Sequence, residues 1–181
     1  MAVAVRLRAR RSKVGCALVA VAAAVLTGCA GPEESRTTAK AAPFAVGGVA
    51  VTVRAESRDG SLLILAELRP EQRGFHLYSL TLPNGGVDGI GIPTRIRTEG
   101  SLRATGPATT DAKPRALRPA GLDVSLPVYE DGPVTLELPV RRVEGTDSAR
   151  VFLTYGACSE TAGCLPPVRD HEVPLQLGSA R

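Results

Sequence analysis

The chain reads as an all-β protein folded into an antiparallel sandwich, and three observations carry that reading. Apolar residues recur with a period of two, as in Val49, Val51 and Val53 and again in Val134, Leu136, Leu138 and Val140. Fourteen prolines and nineteen glycines punctuate the sequence at the spacing of short strands and turns. No segment carries the 3.6-residue period of an amphipathic helix. About seven or eight strands of this kind suit an immunoglobulin-like architecture. The Cys–Trp–Cys signature of antibody domains is absent, since the chain has no tryptophan. With three Phe and three Tyr, the core must be built from Val, Leu, Ile and Ala.

Residues 1–28 read as a lipoprotein signal peptide. Arg6, Arg8, Arg10, Arg11 and Lys13 form a basic start, and Val14 to Leu26 is an apolar stretch too short for a span of about 20 residues. Leu26-Thr27-Gly28-Cys29 is a lipobox, which makes Cys29 the lipidated residue and places the protein outside the cytoplasm on a membrane. Removing those five basic residues leaves 17 Lys and Arg against 18 acids. The net charge of +4 therefore belongs to the leader, and a nucleic-acid or polybasic membrane function is excluded. Residues 29–43 are polar, small and unpatterned, and read as a flexible tether. Residues 44–181 form one domain.

The domain's elements follow in order. Val49 to Arg54 is a half-buried strand, and Ser57-Arg58-Asp59-Gly60 is a turn. Leu62 to Leu68 and Phe75 to Leu82 are two further strands, and Ile92 to Ile96 is extended. Ser101 to Gly121 has no period and is expected to be a long loop crossing the sheet edge. Leu122 to Leu126 suits a strand, and Val134 to Val140 is the cleanest one, with Pro139 suggesting an edge or a bulge. Val151 to Tyr155 leads into the cysteine segment, and Val173 to Leu177 is the final strand.

That segment, Tyr155 to Pro167, carries the chemistry. Cys16 leaves with the leader and Cys29 takes the lipid, so Cys158 and Cys164 remain, in a compartment where disulfides persist. They flank a short polar loop, with Gly163 just before the second and Pro166-Pro167 after it. A disulfide closing so small a loop stabilises by only about 2.4 kcal/mol. The residues around it are small enough for a partner to reach the sulfurs. Those traits suit an exchangeable bond, while a structural staple stays open on spacing alone. His171 with the two cysteines offers at most three metal ligands, so no metal and no cofactor is assigned. No P-loop, Gly-x-Gly-x-x-Gly or Ser-His-Asp order supports nucleotide binding or hydrolysis.

Ala157-Cys158-Ser159-Glu160 with Gly163-Cys164-Leu165-Pro166-Pro167, followed by Val173-Pro174-Leu175, resembles the active-site strand pair of the N-terminal periplasmic domain of the DsbD thiol:disulfide interchange family. Gly74 to Ser79 and Val128 to Asp131 resemble two weaker stretches of that domain, and the motifs run in the family's order from Phe44 to Leu177. The resemblance implies an immunoglobulin-like sandwich whose Cys158 and Cys164 cycle between dithiol and disulfide, with Phe75, His76 and Tyr78 shaping the site. It implies as partners a thioredoxin-like protein or a membrane thiol transporter of the CcdA/DsbD type, together with exported disulfide-containing proteins. Exchange requires a thiolate, and Glu160, the one ionisable residue between the cysteines, would oppose it. That favours a relay driven by its partner. The family's domain covers its cysteines with an aromatic-bearing cap loop. Residues 101–121 contain no aromatic, so a cap here is built from Leu117 and the prolines or is missing. The alternatives are a binding or structural lipoprotein whose disulfide is a staple, and a metal-handling lipoprotein.

Overall fold

A computed structural model describes residues 36–144 and 148–177. The leader, Cys29 and the first part of the tether lie outside the described residues. The strands are β1 (Arg36–Lys40), β2 (Phe44–Val46), β3 (Val49–Arg58), β4 (Ser61–Pro70), β5 (His76–Leu77), β6 (Arg95–Gly100) and β7 (Leu102–Ala104). They continue as β8 (Pro114–Leu117), β9 (Leu126–Tyr129), β10 (Val134–Arg142), β11 (Ser148–Tyr155), β12 (Ala157–Ser159), β13 (Gly163–Cys164) and β14 (Val168–Gln176). Every strand pairing is antiparallel.

The larger sheet runs β1-β3-β4-β10-β7, with β2 also paired to β3. Its centre is the β3–β4 hairpin, ten residues in each arm, closed by a two-residue turn in which Asp59 and Gly60 have φ of 50° and 73°. Both central residues are left-handed, which matches the right-handed twist of the strands they join. The facing sheet runs β14-β11-β6. Alternation sends Val49, Val51, Val53 and Ala55 of β3 and Val134, Leu136, Leu138 and Val140 of β10 inward. They pack in one cluster with Val151, Leu153 and Tyr155 of β11 and Val173 and Leu175 of β14. The protein is an immunoglobulin-like sandwich.

Several boundaries differ from the sequence reading, each for a backbone reason. The tether is shorter than expected, because Arg36–Lys40 pairs with β3 as an edge strand. Edge pairing uses main-chain groups and needs no apolar period. Pro139 lies inside the sheet, opposite Leu63 on β4, and not at an edge. Its carbonyl accepts from Thr105 N–H, so its missing donor also points to the β7 side, just beyond that ladder's end. The expected strand Phe75 to Leu82 ends at Leu77, because Ser79 Oγ accepts the Thr81 N–H at 3.0 Å and the chain turns. The expected loop 101–121 holds β7 and β8. The strand expected at Leu122 to Leu126 begins at Leu126, and the last strand starts five residues before Val173.

Two small ladders stand apart from the main sheets: β13-β12-β5 and β8-β9. A single bridge, Tyr78 to Val128, joins them. Together they make a platform with its own apolar cluster of Tyr78, Leu82, Leu117, Leu126 and Val128, and Cys158 packs into that cluster.

Candidate functional site

Strand β11 delivers the first cysteine. Gly156 carries the chain from Tyr155 into β12 through a gap that a side chain would fill, since a Cβ there would sit 3.0 Å from Ile92 Cβ and 3.3 Å from Tyr78 Cδ2. Beyond Ser159 the chain turns tightly and returns at Gly163, whose φ of 81° is costly for any residue with a Cβ. Cys158 and Cys164 are thereby placed directly opposite each other, Cα atoms 4.0 Å apart, and are joined as a disulfide.

The two sulfurs have unequal surroundings. Cys164 is on the exposed strand β13, while Cys158 is only 7% exposed. Tyr78 Oη lies 3.2 Å from Cys158 Sγ, and because a disulfide sulfur carries no proton the hydroxyl is the donor. Burial pushes the Tyr78 hydroxyl above its ordinary pKa, so it remains a donor at physiological pH. His76 is opposite Cys158 on the other side, in the order Cys164, Cys158, His76 across β13, β12 and β5. It is almost fully buried, and Nε2 has no hydrogen-bond partner. Its Nδ1 is 3.9 Å from Asp131 Oδ1, beyond hydrogen-bonding distance. Desolvation, and then the charge of Arg115, hold the imidazole pKa below 6.5 against the opposing pull of Asp131 and Glu160.

A cavity of about 440 Å³ opens over the disulfide, lined by His76, Tyr78, Leu117, Pro119, Leu122 and Leu126. The segment after β8 therefore borders the cysteine pair as a cap of aliphatic and prolyl residues. Leu122 is 48% exposed at its rim, the one large apolar side chain so exposed among the described residues. Arg115 on β8 ties the cap strand to the cysteine turn through Glu160 at 3.0 Å, and also faces Glu130 at 3.8 Å. Glu160 thus faces a guanidinium, which offsets the opposition to a thiolate expected of it.

Of the residues expected to shape the site, His76 and Tyr78 reach it and Phe75 does not. Successive strand residues alternate faces, and Phe75 lines a separate pocket with Pro70 and Pro133. His171 packs against the Phe44 ring, centroids 5.0 Å apart. Among the described residues no group of three His, Cys, Asp or Glu is arranged to hold a metal. Arg115, Leu122 and Leu126 were not singled out from the sequence. Leu122 and Leu126 read only as the ends of a strand, and Arg115 is one arginine among many in a stretch with no legible period.

In outline the chain resembles the N-terminal domain of DsbD. A solved structure of that domain from Neisseria meningitidis, in the reduced form, is similar over 80% of this chain and 87% of its own, at 14% identity and a TM-score of 0.41. No protein family and no curated protein matches the chain by sequence. The chemistry of the site therefore rests on its own geometry.

Proposed function

We propose that the protein is an extracytoplasmic thiol–disulfide relay, held to a membrane through lipid on Cys29 and working through Cys158 and Cys164. Its partners are a thioredoxin-like protein or a membrane thiol transporter on one side and exported disulfide-containing proteins on the other. The observation that carries the reading is the inequality of the two sulfurs within a cavity. Exchange proceeds with the entering sulfur, the attacked sulfur and the leaving sulfur in line. Attack on Cys164 comes from solvent, whereas attack on Cys158 would have to come from the β5 side, through buried side chains. An incoming thiolate bonds to Cys164 Sγ, the Cys158–Cys164 bond breaks, and Cys158 leaves with the electron pair. The Tyr78 hydroxyl then stabilises that thiolate, and hydrogen bonds to charged groups are the stronger kind. A second thiolate releases the mixed disulfide and leaves the dithiol.

Single-cysteine variants test the order of attack. Cys158→Ser should accumulate a mixed disulfide on Cys164 with glutathione or with a thioredoxin-like partner. Cys164→Ser should form one at least tenfold more slowly. Equal trapping by the two variants, or by neither, would contradict the reading.

A further inference from the structure

His76 is the one buried side chain at the site whose polar atom has no partner. It is 1% exposed, its Nε2 makes no hydrogen bond, and it lines the same cavity as both cysteines. Leaving such a nitrogen unpaired is unfavourable. In the oxidised protein the adjacent Cys158 sulfur has no hydrogen to give. Reduction supplies one, on the residue directly opposite His76 in the β5–β12 ladder. A Cys158 thiol that accepts from the Tyr78 hydroxyl and donates across the ladder to His76 gives Nε2 the partner it lacks.

We propose that His76 is the proton acceptor for Cys158, the buried thiol that resolves the mixed disulfide; the inference rests on the exchange reading above. A thiol buried among Tyr78, Leu82, Leu117, Leu126 and Val128 is a poor nucleophile by itself, because burial disfavours the thiolate. A neutral imidazole beside it removes that obstacle. The charged groups facing His76 are Asp131 after β9, Arg115 on β8 and Glu160 in the β12–β13 turn. Arg115 is paired with Glu160 and Glu130, and Tyr78 stands edge-on to the imidazole at 6.4 Å. The depressed imidazole pKa is consistent with this role, since it keeps the base form present at neutral pH.

The step balances as follows. The Cys164 thiolate bonds to one sulfur of a substrate disulfide, and the other substrate sulfur leaves as a thiolate. The Cys158 S–H proton passes to His76 Nε2, the Cys158 sulfur bonds to Cys164 Sγ, and the second substrate sulfur departs with the bonding pair. The imidazolium returns its proton to that thiolate. The pair is oxidised by two electrons, the substrate disulfide is reduced to one thiolate and one thiol, and His76 ends neutral.

Stopped-flow reaction of the reduced mature protein, without Cys16 and with lipid on Cys29, with 5,5′-dithiobis(2-nitrobenzoate) reads the two steps as successive releases of thionitrobenzoate. In the wild type the second, resolving rate should be level from about pH 7 to 9 and fall only at a pH under the ordinary imidazole value, as the depressed imidazole protonates. In His76→Gln the ratio of the second rate to the first should drop at least tenfold at pH 7. The second rate should then climb about tenfold per pH unit, following thiol ionisation. An unchanged profile in His76→Gln would overturn the proposal. A wild-type rate that itself climbs tenfold per unit from pH 7 to 8.5 would also overturn it, and that measurement needs no variant to fold. A wild type with no second release overturns the exchange reading, and the role of His76 with it.

Discussion

Tyr78 and His76 meet Cys158 because the extended chain continues one residue past β5 and residues two apart in it share a face, while the intervening Leu77 packs in the main core. Their roles separate experimentally. Tyr78→Phe keeps the ring and removes only the donor to the sulfur, so the rate at which glutathione reduces the disulfide should fall roughly tenfold, the equivalent of about 1.4 kcal/mol, while the melting temperature changes little. A rate within twofold of wild type would remove Tyr78 from the chemistry. For His76 the pH dependence of stability has a definite sign. Its folded pKa is lowered by burial, so between that value and 6.5 the unfolded chain binds more protons than the folded one. Its contribution to stability is fully present above 6.5 and is lost as pH falls toward the folded pKa. Thermal melts of the wild type should show this loss, and His76→Gln should flatten it. A wild type and variant with parallel melting profiles from pH 7 to 5 would contradict the buried neutral imidazole. The sequence marks both residues through the Gly74 to Ser79 motif. The orphaned nitrogen was invisible in it, because that depends on how β12 and the cavity lining, far along the chain, bury the ring.

The long strands were legible and the short ones were not. β3, β4 and β10 bury one face against a core, so their alternation appears in the sequence. β7, β8, β12 and β13 have two to four residues and are held by main-chain pairing, which leaves no such trace. That is why residues 101–121 read as a loop and proved to contain the cap strand. The cap's tie to the cysteine turn, Arg115 to Glu160, is exposed and worth about 0–1 kcal/mol. Arg115→Ala should therefore change the melting temperature by less than about 3 °C but open the cavity. Disulfide reduction by a small thiol should quicken several-fold, and added salt should have the same effect on the wild type. A reduction rate insensitive to both would mean that the cap does not shield the pair. At the strand junction, Gly156→Ala would press a methyl against Ile92 and Tyr78, which should cost about 1–3 kcal/mol, readable by denaturant unfolding. A loss below about 0.5 kcal/mol would show that the β11–β12 junction has room to spare.

At the level of the whole molecule, the sandwich and the disulfide platform are two apolar clusters sharing the β11–β12 connection. The main core joins residues of both sheets and does not include Cys158, so the fold should not depend on the bond. Replacing both cysteines by serine should lower stability by about 2.4 kcal/mol and leave the circular dichroism of the sandwich intact. Collapse of the fold would assign the disulfide a purely structural purpose. The class of fold and the cysteine pair were readable from alternation, turn residues and the Cys158 to Pro167 motif. The inequality of the two sulfurs was not, since it arises only when β5 and the cap close on one side of β12. The measurement closest to the central claim is the reduction potential of the Cys158–Cys164 couple, by equilibration in glutathione buffers followed by thiol alkylation. An exchangeable pair should give a value between about −180 and −270 mV, the range of proteins that pass disulfides on. A value below about −300 mV, where structural disulfides lie, would contradict the relay.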